Sequence, residues 1–221
     1  APTLTVCRPI HLWKWLNLGG YMMLNLSFST IILIMVAYGI GSIPFGLIFT
    51  KLSGRGDIRN IGSGNIGATN VLRTGSRKLA VLTLVFDAGK GAVTVGVTSY
   101  FVDIDIAALV GLLTVIGHCF PVWLKFQGGK GVATSLAVFA TLDIRLGGVF
   151  AIIWLATAFL SRYSSLAALS AVLAVTVGGF ILLDDMISQI CILMLSGLVW
   201  TRHHSNIGRL LAGTETKIGA K

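Results

Sequence analysis

Long apolar runs constrain this chain more than any other feature of its sequence. Each of six runs is close to the ~20 residues that a helix needs to cross a bilayer. Backbone groups in lipid must satisfy one another, so we expect helices and not strands. A seventh run, residues 132–142, covers about half the hydrocarbon thickness at ~1.5 Å per residue. The six long runs are residues 28–50, 79–100, 106–124, 144–160, 164–183 and 186–201.

The composition agrees with a protein that lives in lipid. Hydrophobic residues make up 55% of the chain and charged residues only 11%, whereas soluble domains carry roughly 25% charged residues. We therefore predict an all-α integral membrane protein with about seven transmembrane helices (five to seven), one of them short. The net charge of +9 does not require nucleic acid, because membrane proteins concentrate Lys and Arg in cytoplasmic loops.

Basic and acidic residues fall in alternate connections between the runs. Lys and Arg collect in 51–78, in 125–131 and in the C-terminal tail, while Asp residues occupy the connections between these. The positive-inside rule then predicts an outside N-terminus and a cytoplasmic C-terminus. Residues 1–21 look unlike the rest, so we expect an N-terminal extension followed by one polytopic membrane domain, 22–221.

Three polar segments interrupt the apolar pattern, all on the predicted cytoplasmic side: 57–73, 117–135 and 202–215. Each combines glycines, small hydroxyl residues, Asn and one or more cations. Glycines let backbone N–H groups converge on an anion, and Lys or Arg supplies full positive charge. The segments are therefore typical of phosphate binding.

The glycine patterns within these segments do not match nucleotide-binding loops. Gly62-x-Gly64-x-x-Gly67 has the letters of a dinucleotide fingerprint, but it lies between two membrane helices with no preceding strand. Gly131 follows Lys130 where a Walker A loop needs Ser or Thr for magnesium. A glycine-rich turn with an interfacial lysine is the alternative there. Three such segments on one side favour a polyanionic ligand.

Ionisable residues offer functional and structural interpretations that the sequence leaves open. Asp87 and Lys90 lie within the second run, where they can serve function or neutralise each other. His118 and His203 can act as general bases or as hydrogen-bond donors to a phosphate. Alternatively, each is an interfacial histidine that bonds to the backbone. The interfacial interpretation is favoured for His204.

Nothing in the sequence indicates a covalent nucleophile or a metal site. Ser63 lies between glycines without an adjacent base, and no Gly-x-Ser-x-Gly elbow occurs. The three cysteines, Cys7, Cys119 and Cys191, form no pattern. We expect no disulfide, no metal and no cofactor.

The three segments resemble the signature motifs of PlsY-type acyl-phosphate:glycerol-3-phosphate acyltransferases of bacterial membranes. The matching stretches are GSGNIGATN with Arg73, GHCFPVWLKFQGGKGVAT and RHHSNIGRLLAGTE. Asp87-x-x-Lys90-Gly91 matches as well, and the resemblance spans roughly 28–217.

The resemblance implies transfer of a fatty acyl group from acyl phosphate to the 1-hydroxyl of glycerol 3-phosphate, with lysophosphatidic acid and phosphate as products. Acyl phosphate is already activated, which fits the absence of a nucleophile, and the family is thought to use a substrate phosphate as base. The implied location is the bacterial cytoplasmic (inner) membrane. The expected partners are the two substrates and the lipid bilayer, without nucleic acid or an obligate protein partner.

The resemblance also implies roles for individual residues. Catalysis would fall to Ser63, Arg73, His203 and Asn206. Glu215 would support a basic residue. The predicted substrate-binding residues are Arg59, Gly64, Asn65, Asn70, Asp87, Lys90, His118, Gly128, Gly129, Lys130, Gly131, Thr134 and Arg209.

A secondary transporter of an organic phosphate is the alternative function. Transporters place anion sites at short-helix N-termini near broken spans, and GNIGATN and GKGVATS are faintly alike. Their sites, however, lie near the membrane midplane with access from both sides. The polar segments here are predicted to collect at one surface, which favours the enzyme.

Overall fold

The computed structural model describes residues 28–219, and no strand occurs within that range. The predicted all-α fold is confirmed, while the proposed extension, residues 1–21, lies outside the described residues. The helices are α1 Phe28–Gly41, α2 Phe45–Leu52, α3 Ala68–Leu72, α4 Arg77–Phe101, α5 Ile104–Cys119, α6 Val132–Leu142, α7 Ile144–Ser161, α8 Ser164–Leu182, α9 Met186–Arg202 and α10 His204–Leu211.

Five helical stretches within residues 28–219 are long and apolar enough to cross a membrane. Two further apolar helices are shorter, α6 with 11 residues and α9 with 17. The architecture therefore agrees with five to seven spans, and the number seven stays a prediction, as does the orientation of the termini. The five long stretches are Phe28–Leu52, Arg77–Phe101, Ile104–Leu124, Ile144–Ser161 and Ser164–Leu182.

The first span is broken, although the apolar run 28–50 predicted one continuous helix. Helix α1 ends at Gly41 and α2 begins at Phe45, directly after Pro44. Proline has no N–H and its ring clashes with the preceding turn, so the helix cannot continue through it unbroken. At the break the Ile43 carbonyl accepts from the Phe45 N–H (3.2 Å) and also from the Lys90 ammonium of α4 (3.2 Å).

Glycines allow helices α1 and α5 to pack closely. A Cβ on Gly41 would lie 2.1 Å from the carbonyl oxygen of Thr114, and one on Gly117 would lie 2.3 Å from that of Tyr38. Small residues at such contacts are typical of membrane helices, because packing and not the hydrophobic effect drives their association. Helix α5 also contacts α4, α6 and α9, so it occupies the centre of the bundle.

The core and the outer surface are both apolar. Val115, Phe139 and Leu195 are fully buried between α5, α6 and α9. Large hydrophobic side chains such as Met35 and Phe159 remain exposed on the outside. Exposure on this scale is unfavourable in water and marks a surface that contacts lipid.

Three connections meet at one end of the bundle: loop 1 (residues 53–76), loop 2 (residues 120–131) and the C-terminal segment (residues 203–219). Within loop 2, the Trp123 indole N–H donates to the carbonyl of Ser42 beside α2 (2.6 Å). The Ile218 N–H donates to the carbonyl of Arg162 after α7 (2.7 Å). Lys130 of loop 2 bonds to Asn206 of the C-terminal segment, and residues of all three polar segments line one cavity, so these segments are neighbours in space.

Candidate functional site

A cavity of about 170 Å³ lies where loop 1, loop 2 and the C-terminal segment meet. Pockets that enclose whole drug-sized ligands measure roughly 300–1,000 Å³, so this volume suits a polar head group. The lining residues come from all three polar segments. They are Ser63, Gly64, Asn65, Gly128, Lys130, Arg202, His204 and Ser205.

Asn70 holds loop 1 in shape. Its amide nitrogen donates to the carbonyls of Ile58 (3.2 Å), Ile61 (2.8 Å) and Asn65 (2.8 Å), and its oxygen accepts from the Ser63 N–H (3.1 Å). The residue is only 2% exposed. Both amide hydrogens are thus committed to the loop, and the side chain presents Ser63 to the cavity.

Arg73 folds back over Gly62. Gly62 has a φ of +55°, and a Cβ there would lie 2.7 Å from Arg73 Cδ and 2.9 Å from its Nη1. A side chain at position 62 would therefore displace the arginine. Through this contact the structure brings Arg73 beside Ser63, ten residues earlier in the chain, although Arg73 itself is not part of the cavity wall.

Loop 2 lies tightly against the end of α5. The N–H groups of Gly128 and Gly129 donate to the carbonyls of Cys119 and His118, both at 3.0 Å. A Cβ on Gly128 would lie 2.2 Å from the His118 carbonyl oxygen. These two N–H groups are therefore not directed at the cavity, so the cradle of backbone N–H groups that the sequence suggested is not formed at Gly128 and Gly129.

Arg202, to which the sequence analysis gave no role, fastens loop 2 to α9. Its Nε donates to the Gly129 carbonyl (3.1 Å) and its Nη2 to the Gly128 carbonyl (3.0 Å). The guanidinium carbon lies 5.1 Å from the centre of the Phe120 ring. Arg202 also lines the cavity. More than seventy residues separate it from its partners, so no local pattern could reveal the contact.

Lys130 is joined to the C-terminal segment by a chain of hydrogen bonds. Its ammonium donates to the Asn206 side-chain oxygen. The Asn206 amide donates to Glu215 Oε1 (2.6 Å), and Arg209 Nε donates to Glu215 Oε2 (2.7 Å). Ser165 at the start of α8 also donates to Glu215 (2.7 Å). Glu215 thus fixes both Arg209 and the orientation of Asn206.

The charges around Lys130 are unbalanced. Burial lowers the pKa of Lys130 to about 8, Glu215 opposes this, and the cations Arg209, Arg73 and Arg202 lower it further. Burial works against ionisation of Glu215 too, but hydrogen bonds from Ser165, Asn206 and Arg209 hold its pKa below the ordinary value. One carboxylate among several cations leaves the site attractive to an anion.

The two adjacent histidines have different surroundings. His203 is 2% exposed, and its Nδ1–H donates to the Val199 carbonyl (2.7 Å). Burial, followed by the charge of Lys130, lowers the pKa of His203 to about 4. The ring is neutral at pH 7, with Nε2 as an acceptor. His204 is exposed and lines the cavity, whereas His203 does not.

Four other predicted site residues are buried together away from the cavity wall. Lys90 donates to Asp87 Oδ1 (2.9 Å) and contacts His118 Nδ1 (2.8 Å). The Thr134 hydroxyl donates to the carbonyl of Asp87 (2.8 Å). Among these residues the structure therefore assembles a compact polar cluster between α4, α5 and α6.

Arg59 is also outside the cavity wall. It is 41% exposed and pairs with Asp57, with Nη2 to Oδ2 at 2.6 Å and Nε to Oδ1 at 2.9 Å. The Arg59 guanidinium holds the pKa of Asp57 far below its ordinary value. The positive charge of Arg59 is therefore largely neutralised within loop 1.

Residues 28–219 contain no group of three or more His, Cys, Asp or Glu side chains placed to hold a metal ion. Cys119 and Cys191 are both buried free thiols. The last of the predicted glycines, Gly131, has a φ of +79° where loop 2 turns into α6, a conformation that a side chain would strain.

The family model described as glycerol-3-phosphate acyltransferase matches residues 31–213. The chain belongs to the glycerol-3-phosphate acyltransferase family. This confirms the resemblance carried by the three polar segments.

Relatives within this family are similar over nearly their whole length. A glycerol-3-phosphate acyltransferase of Mesorhizobium japonicum is 50% identical over 196 residues, which cover 89% of this chain and 100% of the relative. One of Dinoroseobacter shibae is 51% identical over 189 residues, 85% of this chain and 92% of the relative.

Two crystal structures of PlsY, an integral membrane glycerol 3-phosphate acyltransferase, share the fold. The glycerol 3-phosphate form superposes with a TM-score of 0.83 at 36% identity, and the lysophosphatidic acid form with 0.81 at 35%. Each alignment covers 86% of this chain and 96% of the other. The chain is thus a multi-pass integral membrane protein.

Proposed function

We propose that this protein acylates the 1-hydroxyl of glycerol 3-phosphate, giving lysophosphatidic acid, and that acyl phosphate is the donor. The observation that carries the proposal is the cavity in which the three polar segments converge, with Lys130 and Arg202 on its wall. The solved relatives were crystallised in forms named for the acceptor and the product of this reaction. Both proposed substrates carry phosphate, which suits a cation-rich cavity.

The proposed reaction needs no covalent intermediate on the protein. The acceptor hydroxyl oxygen forms a bond to the acyl carbonyl carbon, and the bond from that carbon to the phosphate oxygen breaks. Departing phosphate takes the hydroxyl proton, so phosphate and lysophosphatidic acid are released. Ser63 has no histidine partner among residues 28–219 and donates a hydrogen bond instead of attacking. Arg73 beside it balances the charge that grows on the leaving phosphate.

Lys130 is proposed to hold the phosphate of glycerol 3-phosphate. Asn206 keeps its ammonium in place, and Glu215 keeps Asn206 and Arg209 in place. Neutral His203 lies close enough to Lys130 for the lysine charge to lower the histidine pKa. Because the His203 ring does not line the cavity, we propose that it acts through Lys130 and does not contact the acceptor hydroxyl.

The site is proposed to face the cytoplasm from the bacterial inner membrane. The acyl tail of donor and product would lie along the apolar outer faces of the helices, while both head groups enter the cavity from the aqueous side. This arrangement differs from that of a transporter, which must open its site to both sides of the membrane.

Purified protein in detergent, without vesicles, tests the proposal. Incubation with acyl phosphate and glycerol 3-phosphate should give lysophosphatidic acid and inorganic phosphate in equal amounts, measured by mass spectrometry and a phosphate assay. Product formed only from an acyl thioester would overturn the proposed donor. No acylated product from either donor, with phosphate ester uptake into sealed vesicles, would favour the transporter.

A further inference from the structure

In the buried cluster between α4 and α5, each of the three ammonium hydrogens of Lys90 has an acceptor. The Lys90 ammonium lies 2.9 Å from Asp87 Oδ1, 2.8 Å from His118 Nδ1 and 3.2 Å from the Ile43 carbonyl oxygen. Asp87 is 2% exposed, and Lys90 and His118 are each 5% exposed. An ammonium has three donors, and all three meet an acceptor here.

This arrangement fixes the state of His118. Because an ammonium can only donate, His118 Nδ1 must accept, so the ring is neutral and carries its hydrogen on Nε2. Asp87 Oδ1 and the Ile43 carbonyl, which lies in the break before Pro44, supply the other two acceptors for Lys90. The orientation of the His118 ring is thus set by two residues of α4 and by the backbone between α1 and α2.

The opposite edge of the His118 ring contacts loop 2. A Cβ on Gly129 would lie 2.0 Å from His118 Nε2, so the ring packs directly against the glycine backbone. The Gly129 N–H also donates to the His118 carbonyl (3.0 Å). The next residue is Lys130, which lines the cavity. His118 therefore lies between a buried ion pair and the lysine of the anion site.

We propose that Asp87, Lys90 and His118 form a positioning relay that sets the place of Gly129 and thereby directs the Lys130 ammonium into the cavity. If Asp87 and Lys90 served only to neutralise each other, the pair would need neither His118 nor a contact with loop 2. The relay does not touch substrate itself. The inference rests on the proposed function only for the identity of the anion, glycerol 3-phosphate.

His118→Asn separates positioning from folding. The Asn side-chain oxygen can occupy the place of Nδ1 and still accept from Lys90, but no ring edge remains beneath Gly129. We expect the KM for glycerol 3-phosphate to rise about tenfold while kcat changes less than about threefold, the pattern of lost ground-state binding. The thermal midpoint of the purified protein should stay near that of the wild type.

Thr94→Val provides the matched control. Thr94 lies one turn after Lys90 and its hydroxyl meets that of Thr114 in α5 (2.9 Å), so the variant disturbs the same helix pair at similar burial without contacting loop 2. Its KM should equal that of the wild type. An unchanged KM in His118→Asn, with a lowered thermal midpoint, would reduce the cluster to a structural ion pair and overturn the relay.

A second substitution tests the contact between His118 and Gly129 directly. Gly129→Ala places a methyl group against Nε2 and should raise the KM in the wild-type background. In His118→Asn the space is open, so Gly129→Ala should add little. Residues in contact give such non-additive effects, whereas independent sites give additive ones. Fully additive increases would overturn the proposed contact.

Binding measurements test the relay independently of the proposed reaction. If the wild type makes no lysophosphatidic acid, the proposed function fails, but the relay still predicts weaker anion binding in His118→Asn. Titration calorimetry with inorganic phosphate and with glycerol 3-phosphate gives the dissociation constants in detergent. We expect about a tenfold weaker constant for the variant. Equal constants for wild type and variant would overturn the relay in either case.

Discussion

Lys130, Arg73 and Arg202 reach the neighbourhood of the cavity by three different means. Lys130 is held through Asn206, Arg73 folds over a glycine without a side chain, and Arg202 is fastened by two backbone carbonyls. Each cation is therefore oriented before an anion arrives, which lowers the cost of binding. Arg59, which is paired with Asp57, is oriented for its carboxylate partner instead.

Ser63 and Arg73 should act mainly on turnover. Removing one preorganised donor typically lowers the rate about 10²–10³-fold, so Ser63→Ala and Arg73→Ala should each reduce kcat at least about a hundredfold. Ser53→Ala, in the same loop but with its hydroxyl bonded to Thr50, should retain wild-type kcat. Initial rates on protein that elutes normally from size exclusion check this. A Ser63→Ala variant with more than about a third of wild-type kcat would rule out the catalytic role.

Lys130 should act mainly on affinity. Loss of a charge-assisted hydrogen bond costs about 2 kcal/mol, so Lys130→Ala should raise the KM for glycerol 3-phosphate more than about tenfold. Lys125→Ala is the control, because Lys125 belongs to the same loop but does not line the cavity. Steady-state kinetics at varied glycerol 3-phosphate distinguish the two, and equal KM values would contradict the assignment.

The pH dependence of binding should report Lys130. Burial lowers its pKa from 10.5 to about 8, so the free protein loses this positive charge as the pH rises above 8. The KM for glycerol 3-phosphate should therefore increase from pH 8 to pH 10, while the substrate remains a dianion throughout because its second pKa is about 6. Lys130→Arg keeps its charge, and its KM should stay flat. A flat profile in the wild type would contradict the lowered pKa.

The sequence predicted which ligand chemistry the site would have, but not which residues would contact one another there. Glycines, Asn and cations in three segments were enough to predict anion binding. The partners of Lys130 and Arg202, however, lie 76 and more than 70 residues away, and no local period connects such positions. Asn70 appeared as a ligand residue in the sequence, but its burial and its bonds to Ile58, Ile61 and Asn65 depend on how the loop closes.

At the scale of helices, hydropathy predicted most of the elements. The short run 132–142 coincides with α6, Val132–Leu142. The run 28–50, taken as one span, is divided at Pro44 into α1 and α2, since averaging over a long window conceals a local break. Helices α3 and α10 were not predicted, because each is short and belongs to a polar segment.

The contact between α2 and loop 1 gives a prediction at this scale. A Cβ on Gly46 would lie 1.9 Å from the Ile66 carbonyl oxygen, whereas one on Gly39 would meet nothing within 4 Å. Gly46→Ala should displace loop 1 and with it Ser63, so activity should fall by about tenfold or more, in line with the cost of overpacking. Gly39→Ala should keep full activity. Assays of both variants at equal folded concentration test this, and equal activities would contradict the packing.

At the scale of the whole molecule, the polar segments meet at one end and Asp residues mark the other. Helix ends at the far side are joined by Arg145, whose Nη2 donates to the Leu182 carbonyl (3.2 Å) while its Nη2 also contacts Asp143 (2.6 Å). The charges of the connections therefore differ between the two ends. The predicted orientation of the termini rests on this difference in charge.

Cysteine labelling checks that orientation. In a Cys7→Ser background, where the remaining native thiols of Cys119 and Cys191 are buried, cysteines introduced one at a time at Arg59, Gln127 and Ser205 should resist a membrane-impermeant reagent in intact cells, because the segments that carry them are predicted to be cytoplasmic. A cysteine at Asp184, at the opposite end, should react. Labelling of any of the first three from outside would reverse or refute the topology.

The surplus of positive charge at the cavity has a consequence for control of the enzyme. Lys130 and Arg202 on the cavity wall, with Arg73 and Arg209 nearby, outnumber the single carboxylate of Glu215. These cations cannot distinguish a phosphate on a substrate from the phosphate released by the reaction. Inorganic phosphate should therefore compete for the cavity and inhibit the forward reaction. The rate at which the membrane receives new lysophosphatidic acid would then fall whenever phosphate accumulates in the surrounding solution.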